Sequence, residues 1–208
     1  DDNRLWHALN AHLREGVTFH NGELFDADSV VATFEAHKDP QLGPTPMGGG
    51  ILQPVEKVTK IDAYTVELTT AFPDGMLLHR MYFSQIYPAG LLRERGRAAF
   101  AEHPVGTGPY RFVAWHRGRE IVLEKVEGHF TGGGNIDRLR IMILRQKEWV
   151  ERLSAGQIDF ALNLDAADAA RAARLEGIEV ASESAAISQF FLLANKGPLA
   201  DQRTRQAL

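Results

Sequence analysis

The rhythm of apolar residues changes near Leu139, and that change restricts the fold more than any other property of the chain. Before it, residues 55–61 and 64–70 alternate around Asp62-Ala63, with Val66 and Leu68 on one face. Residues 110–115 and 119–126 alternate around Arg117-Gly118, so each pair of runs predicts a β-hairpin. After it, residues 139–144 and 158–162 are strand-like on either side of a helix face made by Trp149, Val150 and Leu153 and closed by Gly156. Strand, helix and strand in that order favour a parallel pair with a right-handed crossover. A second unit follows: an alanine-rich helix over 166–175, Gly177 as its C-cap, a short strand at 178–181 and a longer one at 187–194. The fold class is therefore mixed α/β, hairpin-rich in front and βαβ behind.

The front third adds a strand, a turn and a helix in sequence. Residues 13–19 can alternate in an extended run, Asn21-Gly22 supplies a turn, and Asp26 is a helix N-cap. Ala27, Val30, Val31 and Phe34 then share a helical face that ends near His37 and Lys38, because Asp39 precedes Pro40. Residues 43–50, rich in proline and glycine, read as a loop. A short helix is predicted over 75–81, an aromatic connection over 82–88, and a helix over 91–100 interrupted at Gly96. At the far end Asp201 reads as an N-cap and residues 203–208 as the first turns of a helix, so the chain is expected to stop inside an element.

Several chemistries find no residues to carry them. Lysine plus arginine number 23 against 27 acids, a net charge of -4, which is no electrostatic footprint for nucleic acid. With no cysteine, disulfides, thiolate metal sites and thiol nucleophiles are excluded. No apolar run approaches the roughly 18 residues of a membrane span. The eight histidines include no pair at the spacing of a helical zinc motif, so no metal and no cofactor is expected. Gly48 to Gly50 lacks the lysine and hydroxyl of a phosphate loop, and Gly106-Thr107-Gly108 leads through Pro109 into a strand rather than a helix. Ser154 sits at a helix end, not in a nucleophile elbow, and Asp26 and Asp28 are explained by capping. The chain is expected not to be an enzyme.

Three motifs carry a resemblance. The first is the segment from His12 to Val31, Leu-Arg-Glu-Gly-Val-Thr-Phe-His-Asn-Gly and onward, a strand, turn and capped helix in fixed register. The second is His103-Pro-Val-Gly-Thr-Gly-Pro-Tyr-Arg-Phe112, with its hairpin centred on Trp115. The third joins Leu153-Ser-Ala-Gly-Gln-Ile-Asp-Phe160 to the segment from Ala194 and Asn195 to Leu208. In this order they resemble the extracellular solute-binding proteins of the peptide, dipeptide and nickel ABC importers. The sequence departs from the family pattern in places: residues 126–130 read Val-Glu-Gly-His-Phe in place of an Asn-x-x-Tyr-Trp ending, and Leu199 and Thr204 replace the usual phenylalanine and valine.

The resemblance implies a type II periplasmic-binding-protein-like fold with two lobes closing on a ligand. Residues 13–98 would be a subdomain inserted in the first lobe and residues 99–208 part of that lobe's mixed sheet, the second lobe being absent. It implies capture of a peptide-like solute outside the cytoplasmic membrane, in the periplasm or extracellular space, and delivery to an ABC permease. A nickel chelate or another small solute is the alternative within the family, and a stand-alone α/β interaction domain the alternative outside it. For ligand contacts, Tyr82 and Phe83 are candidates because aromatics on a connection suit stacking, although a core position is the more usual explanation of such residues. Ser188 and Gln189, polar residues opening an apolar strand, are candidates for hydrogen bonds. Truncation would expose the strand edge at 187–194, with Phe190 to Leu193 inviting self-association.

Overall fold

The computed structural model describes residues 7–39, 52 and 54–181. The predicted loop at 43–50, the strand at 187–194 with Ser188 and Gln189, and the helix start at Asp201 lie outside the described residues. The chain divides into two compact units, Asp1–Ile143 and Leu144–Leu208.

The first unit begins with β1 (Ala8–His12), α1 (Ala27–Lys38), β2 (Val55–Lys60) and β3 (Thr65–Thr70), the strands forming an antiparallel sheet in the order β1-β3-β2. The extended run anticipated at 13–19 is displaced: the ladder lies earlier, at β1, and the chain turns at Gly16, whose φ is +74°. A strand cannot continue through a left-handed residue, so only Val17 and Phe19 keep the alternation, as buried residues beside a single bridge from Thr18 to Leu24. Helix α1 starts as the sequence predicts. The Asp26 carboxylate accepts the Ser29 N–H at 3.0 Å from an extended backbone, and Asp39 before Pro40 leaves the helical region at φ −67°, ψ 112°. Ala27, Val30 and Phe34 on its inner face meet Val55, Val66, Leu68 and Leu77 in the core.

Then follow α2 (Leu77–Met81) and α3 (Ala89–Arg95), the latter stopped by Gly96 at φ +67° before a 3-10 turn over Arg97–Ala101. The first turn of α3 is tied back to the Asn21-Gly22 turn. Glu23 Oε2 accepts the Gly90 N–H at 2.6 Å and Oε1 the Leu91 N–H at 3.0 Å, while Asn21 Nδ2 donates to the same Oε1 at 2.7 Å. A second antiparallel sheet consists of β4 (Tyr110–His116), β5 (Glu120–Lys125) and β6 (Arg138–Met142) in that order, with the hairpin at Arg117-Gly118 as predicted and a register shift between Phe112 and Ala114. Pairing puts Trp115, Ile121 and Ile141 on one face with Phe112, Leu123 and Leu139. The other face is charged: Arg111 Nε donates to Glu124 at 2.6 Å and Arg140 Nε to Glu120 at 2.8 Å. The hydrogen bond from Arg140 holds the Glu120 carboxyl below the usual carboxylate range, against the opposing effect of burial.

In the second unit α4 (Trp149–Ser154) and α5 (Ala166–Ala172) form where predicted, and Gly156 and Gly177 follow them at φ +63° and +76°. The parallel pairing expected here is corrected for the described residues. Strand β6 pairs antiparallel with β5, and residues 158–162 and 178–181 join no ladder. Backbone in an extended segment needs a neighbour to satisfy it, and an apolar run needs something to cover it. Phe160 at 74 % exposure and Leu162 at 65 % have no such cover among the described residues.

Candidate ligand-contact segment

Residues 72–88 leave β3 and return to α3, and both ends of this excursion are fixed by buried polar side chains. At the outgoing end Asp74 is 8 % exposed. Its Oδ1 accepts the Met76 N–H at 2.9 Å and its carbonyl the Leu77 N–H at 3.2 Å, which starts α2; its Oδ2 accepts Arg80 Nε at 2.7 Å. One carboxylate thus joins the start of the short helix to its last turn. Leu77 points into the core. The helix closes with Phe83 N–H donating to Arg80 O at 3.1 Å and Ser84 N–H to Met81 O at 3.0 Å.

At the returning end Thr33 of α1 is fully buried and bonded on both sides. Its hydroxyl donates to Ser29 O at 2.7 Å and accepts the Tyr87 N–H at 2.9 Å. The Tyr87 ring lies against Phe100 at 4.6 Å and His37 at 5.9 Å between centroids. Burial, reinforced by the charge of Arg97, pushes the His37 imidazole below its ordinary value of 6.5. A depressed histidine favours the neutral form in the folded state, so the unfolded chain takes up the proton first as pH falls. Stability contributed by neutral His37 is expected to be complete above pH 6.5 and to be lost on acidification below it. Denaturation at a series of pH values should show a smaller acid loss in His37→Gln than in the parent, and equal losses would contradict the assignment.

Between these anchors the chain presents its aromatics outward. Tyr82 is 85 % exposed and Phe83 49 %, their rings edge-to-face at 5.2 Å and 89°. Neither is a core residue, and Met76 and Leu78 on the same segment are also more than half exposed. The structure brings Tyr82 and Phe83 together; Ser188 and Gln189 lie outside the described residues. Asp74 and Thr33, which set the shape of the segment, escaped the sequence reading. The signal available for Asp74 was the Pro73-Asp74-Gly75 turn tripeptide; Thr33 offered none beyond a hydroxyl on the apolar face of α1.

Four of the histidines make architectural contacts. His20 and His129 hydrogen-bond backbone carbonyls, His12 Nδ1 lies 3.2 Å from Thr65 Oγ1, and His103 packs edge-on against Phe112. No group of three or more histidines and carboxylates is placed to hold a metal ion among the described residues.

The chain is 31 % identical over 124 residues to the glutathione-binding protein GsiB of Pectobacterium atrosepticum, covering 58 % of this chain and 23 % of that protein. It is 27 % identical over 212 residues to the oligopeptide-binding protein AppA of Bacillus subtilis, covering 97 % of this chain and 38 % of AppA. The chain thus spans well under half the length of these relatives. Among solved structures, the binding protein AgaA from A. tumefacien R10, in complex with agropinic acid, superposes with a TM-score of 0.72 at 28 % identity over 82 % of this chain and 35 % of its own. The dipeptide-binding protein from Pseudoalteromonas sp. SM9913, in complex with Met-Leu, gives 0.71 at 19 % identity over 85 % of this chain and 39 % of its own, a likeness of fold. The mixed α/β architecture is that of the type II periplasmic binding proteins. The model of the bacterial extracellular solute-binding proteins, family 5, matches residues 7–208, and the chain belongs to that family.

Proposed function

We propose that the protein carrying this chain is the solute-capturing component of an ABC importer, and that it binds a peptide-like solute and passes it to a membrane permease. Its role is binding, not catalysis. In this reading residues 13–98 form a subdomain inserted in the first lobe, residues 99–208 belong to that lobe's sheet, and a second lobe completes the cavity. Capture takes place outside the cytoplasmic membrane, and association with the membrane is through the permease. No helix among the described residues is long and apolar enough to cross a membrane.

The observation that carries the proposal is the exposed pair Tyr82–Phe83 on a segment held rigid at both ends, within a family whose relatives are named for oligopeptide, di/tripeptide and glutathione binding. Rigid aromatics bury a large area at little entropic cost when a ligand side chain stacks on them. Ser188 and Gln189 add hydrogen bonds to the peptide backbone in the same reading. In the intact protein, Tyr82→Ala and Phe83→Ala should each weaken peptide binding by about tenfold, the worth of one aromatic contact. Tryptophan or dye fluorescence titration measures this, and unchanged affinity in both variants and in Ser188→Ala and Gln189→Ala would remove the assignment.

A further inference from the structure

The loop that joins the 3-10 turn after α3 to β4 has three consecutive carbonyls outside any sheet. Two histidines from distant parts of the chain supply their donors. The His20 backbone N–H donates to Gly106 O at 2.9 Å. The His129 ring reaches Thr107 O from Nε2 at 2.8 Å, and the His20 ring reaches Gly108 O from Nε2 at 2.9 Å. A carbonyl oxygen only accepts, so each Nε2 must carry the proton. For His129 the other ring nitrogen agrees: Nδ1 accepts the Thr131 N–H at 3.3 Å and lies 2.8 Å from Thr131 Oγ1, while His20 Nδ1 is buried with no hydrogen-bond partner among the described residues. The loop is continued into the second sheet by Pro109 O, which accepts the Val126 N–H at 2.9 Å.

Placement gives this arrangement its consequence. His20 lies in the turn region between β1 of the first sheet and α1, and His129 follows β5 of the second sheet. Around them Arg14 lies 5.2 Å from the centre of the Phe130 ring, and the His129 ring lies 4.2 Å from that of its sequence neighbour Phe130, tilted by 36°. Half-buried carbonyls without donors are costly, so the loop holds this path only while both imidazoles present Nε2–H.

We infer that His20 and His129 form a tautomer-specific clamp on the 106–108 carbonyls and act as positioning residues that fix the second sheet of the first unit against the first. Either ring in the Nδ1–H form would turn a lone pair toward a carbonyl lone pair and open the clamp. The clamp also accounts for a departure noted above. A tyrosine at position 129 would present a hydroxyl at the end of a longer ring, whereas histidine offers a donor and an internally satisfied acceptor in one compact ring.

The test begins with the unmodified intact protein at neutral pH. Long-range nitrogen–proton NMR of the imidazoles should show a protonated Nε2 and a bare Nδ1 for both His20 and His129, and the Nδ1–H tautomer in either ring would overturn the inference. Variants then separate positioning from simple bulk. His129→Gln keeps a side-chain N–H and should retain the slow hydrogen exchange of the His20 and Val126 amides. His129→Leu should lose about tenfold of that protection, the worth of one hydrogen bond, while the α1 and β3 amides keep theirs. Equal behaviour of the two variants, whether both retained or both lost, would contradict the clamp. If the leucine variant fails to fold, the tautomer spectrum of the parent and the retained protection in the glutamine variant still decide.

Discussion

Replacing Leu68 by alanine is expected to cost about 2–5 kcal/mol of folding stability, the range for truncating a large buried aliphatic residue in a core that closes only partly around the hole. Leu68 is 2 % exposed in the middle of the central strand β3, where its register partners are Leu9 on β1 and Val58 on β2. Val30 and Phe34 of α1 and Leu77 at the start of α2 belong to the same buried cluster. Every element of the first sheet thus converges on this side chain, and a cavity there cannot be filled by moving one neighbour. Urea denaturation should show a lowered midpoint with little change in slope, since the surface exposed on unfolding is nearly the same. A cost below about 1 kcal/mol would mean that the core is not organised around β3.

The second large effect is expected at Asp74. Removing its carboxylate in Asp74→Ala withdraws the acceptor for the Met76 N–H and for Arg80 Nε together. Breaking a fully buried ion pair costs about 3–5 kcal/mol, but the Arg80 side chain is 30 % exposed and water recovers part of its solvation. A loss of about 2–3 kcal/mol is expected on that account. Because the carboxylate fixes the helix that Tyr82 and Phe83 directly follow, hydrogen exchange at residues 76–84 should accelerate more than in α1. Asp74→Asn, which keeps an acceptor for the Met76 N–H but not the charge, should fall between. Uniform acceleration through the unit would show that Asp74 stabilises the whole rather than the segment.

Features decided within a few residues were legible in the sequence. The Asp26 cap, the stop before Pro40, the Asp62-Ala63 and Arg117-Gly118 turns and the glycines that end α3 and α4 depend on local dihedral preference and nearby donors. Partner choice over long separation was not legible. Nothing in the residues of β1 says that Leu9 pairs with Leu68, and an alternating strand such as β6 carries no mark of the direction of its neighbour. Periodicity favoured a parallel pair there, and β6 runs antiparallel to β5. For the candidate site, the sequence placed Tyr82 and Phe83 on a connection but favoured the core for both, whereas both are exposed. The Asp74–Arg80 contact and the Thr33–Tyr87 hydrogen bond that flank them exist only in the folded chain.

The central claim, that this chain helps to capture a peptide-like solute, is tested most directly by calorimetric titration of the intact protein with dipeptides, tripeptides and longer peptides. The account predicts saturable one-to-one binding of at least one of these classes, weakened when Tyr82 is replaced by alanine. Saturable binding of a metal chelate or sugar with no heat from any peptide would contradict it.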